Sequence, residues 1–118
     1  MKINILGTEY ELCVKKYDED EYFKEHSAGG YCNGVMKEIV LCDITTYPGF
    51  EKDTKEHCEV FQRECLRHEI VHAYFHESGL SSNALVWGES WVENEEMVDW
   101  IAQQGPKIYK TWQEAGAL

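Results

Sequence analysis

His68, Glu69 and His72 stand in the order His-Glu-x-x-His within the stretch Arg67-His68-Glu69-Ile70-Val71-His72-Ala73-Tyr74-Phe75-His76. On a helix, residues four apart lie about 6 Å apart along the axis and roughly 40° apart in azimuth, so both imidazoles can reach one ion. Glu69 then projects beside that ion, where a carboxylate can take a proton from the water the ion activates. The chemistry implied is zinc-dependent hydrolysis. A chain with five histidines and many glutamates would show this pattern in roughly 3 % of shuffled versions, so neighbouring residues must supply a helix, an inward face and a third ligand.

The helix is expected from Thr54 to about Glu77, a span without glycine or proline. Asp53-Thr54-Lys55-Glu56 reads as its start, with Asp53 accepting from a backbone N–H three residues on and Glu56 reaching back. Cys58, Phe61, Cys65, His68, His72 and Phe75 recur at spacings of three and four, one stripe that includes both histidines. Ser78-Gly79 supplies the stop.

Before that helix the pattern is β. Residues 2 to 6 and 9 to 16 alternate apolar and polar around Gly7-Thr8, a hairpin with one buried face. Residues 18 to 26 read as a short helix ended by Ser27-Ala28-Gly29-Gly30. Tyr31-Cys32 and residues 37 to 42 flank Asn33-Gly34, a second hairpin, and residues 45 to 50 form a loop around Pro48-Gly49. After the motif helix, residues 80 to 90 read as a loop and residues 90 to 104 as a second helix ending at Gly105-Pro106, with 107 to 114 as a short closing helix. The sum is one α+β domain over residues 1 to 118: a small antiparallel or mixed sheet packed on a long helix, then a second helix.

A catalytic zinc site takes three protein ligands and leaves one position for water. His76 stands about 12 Å along the axis from His68 and roughly 80° around, which moves it from the ligand set to substrate contact near the mouth. Cys65 reads as a core thiol. Glu95 falls on the second helix's apolar stripe with Trp91, Val98 and Ile101, and a carboxylate aimed into an apolar face implies a cation, so Glu95 is the expected third ligand and Glu96 its alternative. Asp99, one turn beyond Glu95, can accept the outward N–H of a metal-bound histidine. Tyr31, Tyr47, His76 and Tyr109 are the candidate donors to an oxyanion.

Composition limits the partners. The net charge is −11 with scattered lysines and arginines, which disfavours nucleic acid. The acidic run of residues 18 to 21 lacks calcium-loop spacing. No apolar run approaches the roughly 20 residues of a membrane span, and the first residues lack a signal-peptide core, so a cytoplasmic location is expected. Five cysteines without a Cys-x-x-Cys pair fit free thiols in a reducing compartment, although Cys32 and Cys42 flank one hairpin.

His68-Glu69-x-x-His72 followed by Asn94-Glu95-x-x-Val98-Asp99 resembles the gluzincin pattern of His-Glu-x-x-His plus Asn-Glu-x-x-Ser-Asp, with Val98 in place of the serine. From Leu6-Gly7-Thr8-Glu9-Tyr10 to Pro106-Lys107-Ile108 the chain is similar to small prophage-associated proteins of Gram-positive bacteria described as zinc metallopeptidases. It also shares the plan of ImmA/IrrE-type phage-immunity peptidases. The resemblance implies a minimal zincin-like fold, Zn²⁺ as cofactor, Glu95 as third ligand, and a peptide or protein substrate paired along a strand before the motif helix, for which residues 39 to 42 are the expected strand. The alternative is a non-catalytic, zinc-stabilised regulatory module of phage origin, closed by a fourth ligand such as Cys65 or Glu96. A metal-free fold with core histidines is the third possibility.

Overall fold

A computed structural model describes residues 1–81, 92 and 94–118. Four strands, β1 (Lys2–Ile5), β2 (Thr8–Lys15), β3 (Gly30–Asn33) and β4 (Glu38–Cys42), form one mixed sheet in the order β1-β2-β4-β3. β1 and β2 are antiparallel, β2 and β4 parallel, and β3 and β4 antiparallel. A short helix α1 (Tyr22–Glu25) precedes β3; α2 (Lys55–Glu77) and α3 (Glu95–Glu114) follow the sheet. Among the described residues, no helix is long and apolar enough to cross a membrane.

β4 lies between two partners, which is why Ile39, Val40, Leu41 and Cys42 form an uninterrupted apolar run, every residue buried. Ile39 and Leu41 face α2 with Ile5, Tyr10 and Ala73. Val40 and Cys42 point to the other face, where Phe23, Ile44 and Cys58 complete a second cluster. Cys32 lies opposite Ile39 rather than Cys42, and all five cysteines are free.

Local details depart from expectation by a residue or two. The first hairpin turns on Leu6 and Gly7, with φ of 49° and 89°, and Asn4 accepts from the Gly7 N–H at 2.9 Å. Positive φ at both central residues is the primed turn that suits a hairpin's twist. The second hairpin turns beyond Asn33, whose side chain accepts from the N–H groups of Val35 and Met36. The cap of α2 is Thr54, not Asp53; its hydroxyl accepts from the His57 N–H at 3.1 Å.

The largest difference is at Gly105-Pro106, where a helix end was expected and α3 runs straight through. Proline removes the N–H that would reach the carbonyl four residues back. That carbonyl belongs to Ala102, and Arg67 Nε donates to it at 2.7 Å. A side chain of α2 thus replaces the lost bond and ties the helices together. The expected start of this helix, residues 90, 91 and 93, lies outside the described residues.

Glu77 anchors the other end of α2 to the sheet: its carboxylate accepts from Tyr10 at 2.7 Å and Thr8 at 2.9 Å and pairs with the Lys37 ammonium. Lys37 first, then Tyr10 and Thr8, hold this carboxyl at about 2. The folded value lies below the unfolded one of about 4.3, so the network's stabilisation is complete above that pH and is lost as pH falls toward 2. Glu77→Gln is expected to flatten this part of the acid limb in urea titrations between those pH values; an unchanged limb would remove the network from the account.

Candidate metal centre

The motif helix forms as expected, and α2 carries His68, Glu69 and His72 toward the sheet and toward the start of α3. Asn94 caps α3 by accepting from the Met97 N–H at 2.9 Å, which places Glu95 at the first residue of the helix. The two Nε2 atoms of His68 and His72 stand 3.1 Å apart. The Glu95 carboxylate comes within 2.9 Å of His68 Nε2 and 3.4 Å of His72 Nε2. His68, Glu69 and His72 also offer ligand atoms all within 4.8 Å of one another.

Asp99 Oδ1 lies 2.6 Å from His68 Nδ1. A carboxylate only accepts, so Nδ1 carries the proton and the lone pair of Nε2 is turned toward Glu95 and His72. With Nδ1 protonated His68 Nε2 can offer a lone pair, and His72 Nε2 can do the same in that tautomer, so a cation between them and the carboxylate would meet three donors. A tetrahedral metal ion with bonds of about 2.0–2.2 Å sets its donors about 3.3–3.6 Å apart; the 3.4 Å separation matches, and the 2.9 and 3.1 Å separations are a few tenths of an ångström shorter. Two imidazoles and a carboxylate are a donor set that could hold a metal ion.

Glu95 reaches this position by another route than the one expected. Its side chain is 64 % exposed, not turned into an apolar face; the buried residues of α3 are Val98 and Ala102. Position at the helix start, not burial, lets it reach across to α2. Glu96 is exposed beside it, with no contact to the histidines. Cys65 packs in the core cluster with its Sγ against Gly29, and burial first, then the charge of Glu69, pushes its thiol up to about 11.

Glu69 is 7 % exposed, the one buried charged residue among those described, and accepts no hydrogen bond among them. Burial pushes its carboxyl up to about 7; His68 opposes the rise, and Glu95 and Asp99 add to it. This is the range in which a carboxylate exchanges protons at neutral pH.

The site opens on a cavity of about 530 Å³, lined by α1, β3 and α2 and including Tyr22, Tyr31, Cys32, Phe75 and His76. Three glycines let the backbone come this close. A Cβ at Gly30 would stand 2.9 Å from the Val40 carbonyl and 3.4 Å from Glu69 Cγ; at Gly29, 2.9 Å from Cys65 Sγ; at Gly34, 2.3 Å from the His76 ring. Gly29-Gly30, read as a helix terminator, serves close approach of β3 to the motif helix.

His76 therefore lines the cavity with its ring seated on Gly34. Tyr31 lines it too, but its hydroxyl donates to Asp20 at 2.8 Å. Tyr47 packs among Tyr17 and Phe50, and Tyr109, 53 % exposed on the far half of α3, does not line the cavity. The aromatic donor missed in the sequence is Tyr22: it lines the cavity, and burial first, then the charges of Glu69 and Glu95, raise its phenol and keep it protonated. Lying in a four-residue helix, it carries no periodic signal.

The expected peptide-pairing strand, residues 39 to 42, is paired on both sides and has no free edge. Among the described residues the edge strands are β1 and β3, and β3 is the one beside the site. The Cys42 N–H donates to the Gly29 carbonyl at 2.9 Å, and pairing alternates along an antiparallel ladder, so Gly30 and Cys32 turn their backbone groups away from β4. Comparison with known proteins finds no match to a family model, to a curated protein or to a solved structure.

Proposed function

We propose that this protein is a zinc-dependent hydrolase that cleaves peptide bonds, with the metal held by His68, His72 and Glu95 in a zincin-like arrangement. The observation that carries the reading is the triangle of donor atoms set beside a buried glutamate and a strand edge that, among the described residues, have no hydrogen-bond partner and no paired strand respectively. When bound, zinc supplies Lewis acidity, lowering the pKa of water to about 7 and polarising a carbonyl oxygen.

The chain's own residues do the rest. Glu69 takes a proton from water as its oxygen bonds to the carbonyl carbon, then delivers that proton to the nitrogen as the C–N bond breaks. A neighbouring cation favours the carboxylate form that this first transfer needs. Gly30 and Cys32 offer main-chain groups to an extended peptide, and Tyr22 offers a proton to an oxygen that gains charge. Asp99 fixes the His68 ring.

A non-catalytic module would need a fourth protein donor. Among the described residues, Cys65 and Glu96, the two expected for that role, face elsewhere, which supports the enzyme reading.

Metal analysis tests the centre before any substrate is known. One zinc per chain is expected, with affinity about 10–100-fold weaker in Asp99→Ala and a larger loss in Glu95→Ala. Undiminished zinc in Glu95→Ala would transfer the third ligand to another residue, and peptide cleavage that survives complete chelation would sink the mechanism.

A further inference from the structure

The cavity over the metal centre does not end at Glu69. A second cavity of about 330 Å³ lies on the other side of it, lined by Phe61, Glu64, Cys65, Asp99 and Gln103. The two share Ala28, Gly30, His68 and Glu69. The shared walls make them two halves of a trough beside the start of β3, an edge strand among the described residues, with His68 and Glu69 at the junction.

The halves differ in chemistry. The first holds Tyr22, His26, Phe75 and His76. The second has no lysine or arginine among the described residues that line it and contains the carboxylates of Glu64 and Asp99, with Glu69 between the halves, nine-tenths buried and accepting no hydrogen bond among the described residues. The second half is lined by three carboxylates, Glu64, Glu69 and Asp99, and the first by two, Glu69 and Glu95, so a divalent cation at the junction does not neutralise the second half. Glu64 makes no ion pair among the described residues and has no part in holding the metal.

Polarity assigns the halves. β3 runs from the second half at Gly29 and Gly30 toward the first at Cys32 and Gly34. Antiparallel pairing, the more stable kind, sets the substrate running the other way, with the residues after the cut bond in the second half. We infer that this half-trough is a subsite for a lysine or arginine side chain on the C-terminal side of the cleaved bond, and that Glu64 selects it. The inference rests on the peptidase reading; trough continuity makes the substrate an internal segment of an extended chain.

Two measurements separate this subsite from the activity. First, zinc-loaded Glu69→Gln protein is immobilised and offered a library of end-blocked decapeptides, and the retained fraction is sequenced. Lysine and arginine are expected to be enriched over aspartate and glutamate by about tenfold, a ratio that falls to about one in Glu69→Gln with Glu64→Gln and inverts with Glu64→Lys. Zinc content and circular dichroism verify that both variants fold. Second, the unmodified protein is given the same library and the cut sites are mapped by mass spectrometry, with basic residues expected after the cut. Absence of cleavage would defeat the peptidase reading while the binding ratio still decides the subsite. A ratio near one with Glu64 intact, a ratio indifferent to both Glu64 variants, or basic residues concentrated before the cut would overturn the proposal.

Discussion

Glu69→Gln is expected to keep its zinc and lose peptide cleavage by about 10²–10⁴-fold, the usual contribution of a positioned general base. The substitution is nearly isosteric, and Glu69 is not one of the three converging donors: its Oε1 stands 4.0 Å from His68 Nε2, whereas Glu95 stands at 2.9 Å. Removing its charge therefore leaves the metal's ligands in place and removes only the group that accepts and returns the proton. Zinc content by mass spectrometry and turnover of a cleaved peptide measure the two properties separately. Loss of both would make Glu69 a ligand, and retention of both would end its role as base.

In the metal-free protein the same change should stabilise the fold, by about 3–4 kcal/mol at pH 8. Burial raises the folded-state carboxyl to about 7, above its unfolded value of about 4.3. Between these values the folded chain holds a proton that the unfolded chain has released. Glu69's contribution is thus complete below the unfolded value, falls as pH rises, and is lost beyond the folded one. Urea unfolding with chelator at pH 4 and pH 8 reads this directly: the variant and the wild type should nearly coincide at pH 4 and separate at pH 8. Equal midpoints at pH 8 would show that the buried carboxylate is solvated. The pair of results would place the destabilising group and the catalytic group on one residue, a cost that functional sites commonly carry.

What the sequence discloses here divides by range. The motif helix was legible because its signal is local: twenty-odd residues without a breaker, a stop at Ser78-Gly79, and histidines at helical spacing. Both hairpins were legible for the same reason. The order of strands is not, since it depends on pairings between distant segments: the apolar run of residues 39 to 42 suits a peptide-pairing strand by position before the motif helix, yet β4 lies between β2 and β3. Glu95 was chosen from periodicity on a helix whose start was misplaced. The cap at Asn94 puts it in the first turn, where reach and not burial brings it to the histidines. The glycines at 29, 30 and 34 looked like punctuation; their work is to let β3 and the hairpin approach α2, which only the packed structure reveals.

The bond from Arg67 to Ala102 has a bearing on dimensional tolerance. Every other carbonyl along the middle of an α-helix already has a partner from its own chain, and only the proline at 106 leaves one without it. The guanidinium therefore finds a vacant acceptor at a single station on α3. A slip of one residue between the helices, about 1.5 Å, would remove that station, and it would also spread donor atoms that now stand within 3.4 Å of each other. Arg67 adjoins His68 in the chain, so the detent that sets the sliding coordinate sits next to the atoms whose spacing it governs. A missing N–H acts as the gauge.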